Sequence, residues 1–444
     1  MKLTLSDHFT YRKLLTFTLP SIAMMIFTSI YSVVDGFFIS NFAGDIPFKA
    51  VNLIMPFLMI LGTTGFIFGT GGTAIVANTF GEGDKKRANE YFSFFVYEAL
   101  VLSIVAAVLS YILIRPIAEL LGAENKILEN CVIYGRIILC ALPFLVLQFL
   151  FQSFFVAAEK PRLGLLVIIA AGLTNMLLDA VLVILLPQSY KLAGAAVATA
   201  LSQFIGGFIP LVYFCRKNNS ILRIGKTRFD GNALIRACTN GSSEFINNVS
   251  MNVVAMLYNM QLLKYAGDDG VAAYGVIMYV SMIFTAIFVG YSIGTTPIIS
   301  YHDGAGNYNE VNEILKKSLV IVGTGGLVML ISAELLAFPL SKIFVGYSSE
   351  LMAMTVHGLR IFSVAFPFIG FSIFSSGFFT ALNDGLTSAL ISFLRTLVFQ
   401  VGAVLLLPLF WKLDGIWISV IPAEVLAVVL AVFFLFSKKK NYHH

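Results

Sequence analysis

The chain has 444 residues, 58% of them hydrophobic and 12% charged, with a net charge of +5. Soluble chains run to about 45–50% apolar and about 25% charged, so this composition excludes a soluble enzyme or binding module and requires lipid as solvent. The positive-inside rule of membrane proteins accounts for the basic excess, so no nucleic-acid partner is called for.

The N-terminus, MKLTLSDHFTYRK, is polar, and the apolar run after it is too long for a cleavable signal peptide. Apolar stretches of membrane-spanning length then recur along the chain. In the first half they fall at 12–40, 48–78, 90–115, 130–155, 162–186 and 193–215. The second set lies at 234–264, 271–300, 312–338, 352–382, 386–410 and 415–436. The sequence therefore predicts an all-α integral membrane protein of twelve spans. Cys131, Cys140, Cys215 and Cys238 show no paired or metal-like spacing and read as free thiols. The terminal Tyr442-His443-His444 carries no argument.

Sorting Lys and Arg by side gives 19 on the side of both termini against 7 on the other, with Arg136, Arg360 and Arg395 inside spans. That asymmetry predicts that both termini are cytoplasmic. The halves also repeat. Ala43-Gly44-Asp45 recurs 223 positions later as Ala266-Gly267-Asp268, and Gly83-Asp84 recurs as Gly306-Asn307 at the same offset. Lys191-Leu192-Ala193-Gly194 recurs as Lys412-Leu413-Asp414-Gly415, 221 positions on. Matches at nearly constant offset read as a duplication. Six spans per half put the two lobes, 1–222 and 223–444, in the same orientation about a pseudo-two-fold axis along the membrane normal, with 216–236 as the linker. Two such bundles around a central cavity suit alternating access. No HExxH, GxSxG or phosphate loop with Lys-Ser/Thr occurs, so no enzyme is predicted.

Ionisable groups inside spans are costly and mark function by default. Asp35 lies near the far end of span 1, and Asp179 near the far end of span 5. Asn175 is one turn before Asp179 on the same helix face, and Thr199 enters span 6 at a similar depth. Two carboxyls, an amide oxygen and a hydroxyl are hard donors that suit Na⁺. They also suit a proton, because two neighbouring carboxylates in low dielectric cannot both ionise cheaply. The alternative is an acid paired with an arginine or bracing a helix. At the repeat offset Asp35 maps onto Tyr258 and Asp179 near Ala403, so the acidic pair belongs to the first half.

These residues resemble the multidrug and toxic compound extrusion (MATE) transporters. The matching stretches are Val34-Asp35-Gly36-Phe37-Phe38-Ile39, Asn175-Met176-Leu177-Leu178-Asp179, Gly194-Ala195-Ala196-Val197-Ala198-Thr199 and Phe80-Gly81-Glu82-Gly83-Asp84. The resemblance covers essentially the whole chain. It implies a V-shaped, two-lobed exporter that exchanges Na⁺ or H⁺ for amphipathic, often cationic drugs, with Asp35, Asp179, Asn175 and Thr199 as the first-lobe cation site. No cofactor is implied beyond the coupling ion, and the partners are small organic substrates and the bilayer, with the chain acting as a monomer. The second lobe departs from those members that carry acids in spans 7 and 10, since span 10 has no Asp or Glu between Phe362 and Leu382. Glu244 in span 7 is a substrate-site candidate or a solvated residue at a helix entrance. Gln148 and Gln152, one turn apart in span 4, are substrate contacts or interhelical bonds. Met251, Met256, Met260, Met278 and Met282 form a Met-rich face that reads as packing. Arg136, Arg360 and Arg395 are ion-pair partners or snorkel. A flippase for lipid-linked carriers is the rival, although such a carrier's pyrophosphate calls for a basic cavity; an exporter of an endogenous metabolite is another.

Overall fold

The computed structural model describes residues 3–438. Lys2, Lys439, Lys440 and the terminal Tyr442-His443-His444 lie outside the described residues. The first half contains α1 (Tyr11–Ala43), α2 (Ile46–Gly81), α3 (Lys85–Leu120), α4 (Asn125–Ala157), α5 (Pro161–Leu185) and α6 (Gln188–Cys215). The second contains α7 (Gly231–Gly304), α8 (Tyr308–Val345), α9 (Ser349–Ser363), α10 (Phe366–Ala381), α11 (Gly385–Leu406), α12 (Pro408–Ile418) and α13 (Val420–Ser437). Most helices outrun the predicted apolar stretches by several residues, because polar ends continue the helix into the headgroup region.

Three of these elements need a physical account before the spans can be counted. The 74 residues of α7 would stretch over about 110 Å as one rod, against a hydrocarbon core of about 30 Å. Gly267 breaks it at φ 63°, ψ −153°, a conformation that a Cβ disfavours, so α7 holds two spans. Conversely, α9 and α10 are one span bent by 48°, with Pro367 at the start of the second piece. Within α12, Lys412 at φ 50° turns the chain back, so the residues before it finish the span of α11 and those after it begin the span of α13. The chain thus crosses twelve times in two six-span lobes, as the hydropathy predicts.

Even crossing numbers place both chain ends on one face, here called the terminal face. The lobes are sealed in that half by glycines. A Cβ on Gly81 would come within 2.0 Å of the Tyr301 carbonyl oxygen, one on Gly304 within 2.0 Å of that of Asn78, and one on Gly71 within 2.2 Å of that of Ala237. Thr18 and Ile22 of α1 also pack closely on Gly294 and Gly290 of α7, within 2.8 and 2.5 Å of where a Cβ would stand. Asn78 also donates to Asp303 across the seam at 3.0 Å. Backbones in contact through small residues are how membrane helices associate tightly. They close the V at the terminal face.

The polar N-terminal stretch is built into this closure. Leu5 and Phe9 are buried; the Leu5 N–H donates to Glu159 at 2.9 Å, and the Phe9 N–H donates to Glu310 at 2.8 Å. One contact is in the first half and the other in the second. The linker, by contrast, is fastened within the first half, to α3 and α6: Arg223 N–H donates to Asn89 at 2.7 Å, Thr227 donates to the Glu90 carbonyl at 2.8 Å, and Ile224 N–H donates to the Phe214 carbonyl at 3.0 Å. All four cysteines are free thiols, and only Cys131 is buried.

Candidate cation and substrate site

The first-lobe site is assembled from four helices. Asp35 sits just before α1 loosens into a π turn over Ile39–Ala43, a local widening often found at functional positions. Asn175 and Asp179 project from α5 one turn apart, and Ser202 of α6 ties the two helices together by donating to the Ala171 carbonyl at 2.8 Å. Thr199, one turn away on α6, donates to Asp35 Oδ1 at 3.4 Å and accepts from Asn175 Nδ2 at 3.4 Å. Asp35 and Asp179 face each other across the site. The four residues that the sequence singled out are therefore neighbours.

Their electrostatics are unusual. Asp35 is 8% exposed, and Asp179 and Asn175 are buried outright. Among the described residues, neither carboxyl meets a basic side chain. Among those residues, both carboxyl oxygens of Asp179 and the amide oxygen of Asn175 also lack any donor, although a buried polar atom normally has a partner. Oxygen acceptors without donors, two of them on acids, fit a proton or a small hard cation and offer nothing to a soft metal.

Two tyrosines complete the cluster and were not found in the sequence. Tyr134 of α4 is fully buried beside Thr199 and both acids. Tyr31, one turn before Asp35, accepts a hydrogen bond from Gln148 at 3.3 Å. A tyrosine inside an apolar span gives no signal by itself; only the fold puts it next to a carboxyl. Gln148 thus belongs to the fringe of this cluster. Gln152, 2% exposed with both amide atoms unpartnered, lines a crevice between α4, α5 and α6 with Gly164, Gly206 and Pro210. Both glutamines point into the first lobe rather than onto the surface between the lobes.

The second-lobe candidates are elsewhere. Glu244 is half-buried on the first limb of α7, near the guanidinium of Arg395. Met251, Met256 and Met260 are exposed. Each intramembrane arginine is engaged: Arg136 lies over the Tyr111 ring at 5.2 Å, Arg360 is 3.5 Å from Glu334, and Arg395 is held by Glu424 at 2.8 Å. Tyr258, the repeat counterpart of Asp35, is buried and bonded to Ser419 at 2.7 Å.

Comparison with known proteins agrees with this architecture. The sequence pattern of the MatE family matches residues 20–181 and again 245–406, once in each lobe. The multidrug export protein MepA of Staphylococcus haemolyticus is 24% identical over 432 residues, covering 97% of this chain and 94% of that protein. MepA of Staphylococcus aureus strain MSSA476 is 22% identical, over 96% of this chain and 93% of its own. Among solved structures, a MATE protein in complex with MaL6 superposes with a TM-score of 0.92 at 19% identity over 98% of both chains. The outward-facing form of a multidrug resistance MATE transporter gives 0.89 at 20%, over 98% of this chain and 97% of that one. With the family pattern present in both halves of a twelve-span, two-lobed fold, the chain belongs to the MatE family and is a membrane transporter of the multidrug-efflux kind, not an enzyme.

Proposed function

We propose that the protein is a cation-coupled antiporter, driven by Na⁺ or H⁺, that exports amphipathic, mainly cationic organic compounds by alternating access. Asp35, Asp179, Asn175 and Thr199 hold the coupling ion, and Glu244, Gln148 and Gln152 are the candidate substrate contacts. The terminal face is cytoplasmic, and the chain works as a monomer whose lobes divide at 222/223. The observation that carries the reading is the buried Asp35–Asp179 pair, which faces Asn175 and Thr199 with no basic residue among the described residues to neutralise it. A site of that kind gains most from a mobile cation, and losing the ion changes its charge, which can bias the two arrangements of the lobes. The drug-export activity of the MepA relatives supports the substrate class.

The experiment is efflux of a fluorescent organic cation from proteoliposomes, with Na⁺ and pH gradients imposed separately. One gradient should drive export in the wild type and neither in Asp35→Asn. Export that ignores both gradients would refute the coupling; transport of a lipid-linked carrier in place of the cation would establish the flippase reading.

A further inference from the structure

The second lobe also has an acidic centre inside the membrane, and it is built differently. Arg395 of α11 donates through Nε to both carboxylate oxygens of Glu424 on α13, at 2.9 and 3.0 Å, with Nη2 2.8 Å from Oε1. The two side chains are 12% and 3% exposed. Glu244 completes the group: its carboxylate is near the guanidinium and has no hydrogen-bond partner among the described residues. All three lie ten to thirteen residues from the terminal-face end of their helices, about 15–20 Å deep. They are therefore at membrane depth, beyond the reach of snorkelling to the headgroups.

Their place in the repeat gives the cluster its meaning. Arg395 falls 224 positions after Ala171, and Glu424 falls 221 after Gln203. Ala171 and Gln203 are each one turn from Asn175 and Thr199, on the α5–α6 seam that Ser202 pins. The matching seam in the second lobe carries a guanidinium and a carboxylate. Thus each lobe has two intramembrane acids close to the same seam. In the first lobe they have no cation of their own; in the second a cation is attached to the chain.

We propose that Arg395 is a built-in counter-ion that fills the acidic centre of the second lobe and so confines exchangeable coupling ions to the first. A bidentate arginine–carboxylate pair removed from water does not separate readily, because either partner alone would be left charged and unsolvated. It therefore excludes Na⁺ and protons from Glu424 throughout the cycle, and its remaining field weakens the hold of Glu244 on a second ion. The inference rests on the first-lobe acids being the coupling site. It makes Arg395 a positioning and specificity-determining residue, not an ion ligand.

The test counts ions on purified protein in nanodiscs, as ²²Na⁺ bound and as protons taken up at fixed pH. Arg395→Gln leaves Glu244 and Glu424 without a resident cation, so it should bind one ion more than wild type. Arg395→Gln with Glu424→Gln should return to the wild-type count. In Asp35→Asn with Arg395→Gln the added ion should persist, which separates this proposal from the first-lobe assignment. A folded Arg395→Gln with the wild-type count, or an Arg395→Gln/Glu424→Gln double variant that keeps the extra ion, overturns it. If Arg395→Gln does not accumulate folded, recovery by high Na⁺, low pH or added guanidinium supports the proposal. Failure of all three to rescue it means that the pair is only a brace.

Discussion

Asp179, fully buried on α5, faces Asp35 on α1, and neither of its carboxyl oxygens receives a hydrogen bond from any donor among the described residues. Two acids in this relation repel when both are charged, and each is costly to desolvate alone. A proton or a metal cation between them removes both penalties at once. This is the electrostatic basis of the proposed ion site, whose contacts through Thr199 are long, at 3.4 Å each.

Replacing Asp35 by Asn keeps the size of the side chain and removes its charge. Export coupled to an ion gradient should fall to background, while the melting temperature stays level or rises, since a buried charge has been deleted. Gradient-driven efflux alongside a thermal melt checks both halves; wild-type export would show that the ion binds elsewhere.

The glycine seam at the terminal face should set the balance between the two arrangements of the lobes. Gly81→Val places atoms where the Tyr301 carbonyl lies 2.0 Å from a bare Cβ. Overpacking of this kind costs about 1–3 kcal/mol, enough to shift the populations roughly 5- to 150-fold away from the closed terminal face. Labelling of a cysteine placed at Asn78 from the terminal side should speed up accordingly, and unchanged labelling would show that the seam yields without opening.

Glu310 anchors the N-terminal stretch through the Phe9 N–H at 2.8 Å and His8 Nδ1 at 2.6 Å. Glu310→Ala leaves the buried Phe9 amide without its acceptor, at a cost of about 1–3 kcal/mol. Hydrogen–deuterium exchange over residues 5–10 should accelerate, with Leu5 and Phe9 released together. Exchange that stays at the wild-type rate would mean that apolar burial alone holds the stretch.

Tyr258→Phe tests whether the repeat counterpart of Asp35 shares its role. The variant loses the 2.7 Å bond to Ser419, whose hydroxyl keeps its own bond to the Ile416 carbonyl at 2.6 Å. A stability loss of about 1 kcal/mol with intact ion coupling is expected. A coupling defect without a change in stability would move part of the site into the second lobe.

Much of the fold was legible because membrane helices advertise themselves by length, and the repeat did so for a backbone reason. Gly44 and Gly267, matched by the offset of 223, both adopt positive φ, at 102° and 63°, in the turns after the first span of each half. Gly83 and Gly306 do so too, at 90° and 68°, and the residues after them, Asp84 and Asn307, cap the next helix through their side chains. The sequence motifs persisted where the turn geometry left few choices. Asp35, Asn175, Asp179 and Thr199 were legible for the same kind of reason, since polar groups at membrane depth stand out. Tyr134, Tyr31 and the Gly71–Ala237 contact were not, because each depends on which helices meet and an apolar span does not encode its neighbour. Glu424 was within reach but overlooked: it is an acid inside a predicted span, and it answers what Arg395 pairs with. The buried N-terminal stretch was hidden by its polar residues, which serve its contacts with Glu159 and Glu310.

The most direct test of the account is ion-dependent transport by Asp35→Asn, Asp179→Asn, the double variant and Asn175→Ala, measured side by side. On the proposal that the two acids share one ion, either single substitution should abolish coupling nearly as fully as the double, which is strong non-additivity between neighbours. Asn175→Ala should do less, since it removes one neutral oxygen and leaves both acids in place. Partial, independent losses from the two acids that add up in the double variant would contradict a shared site.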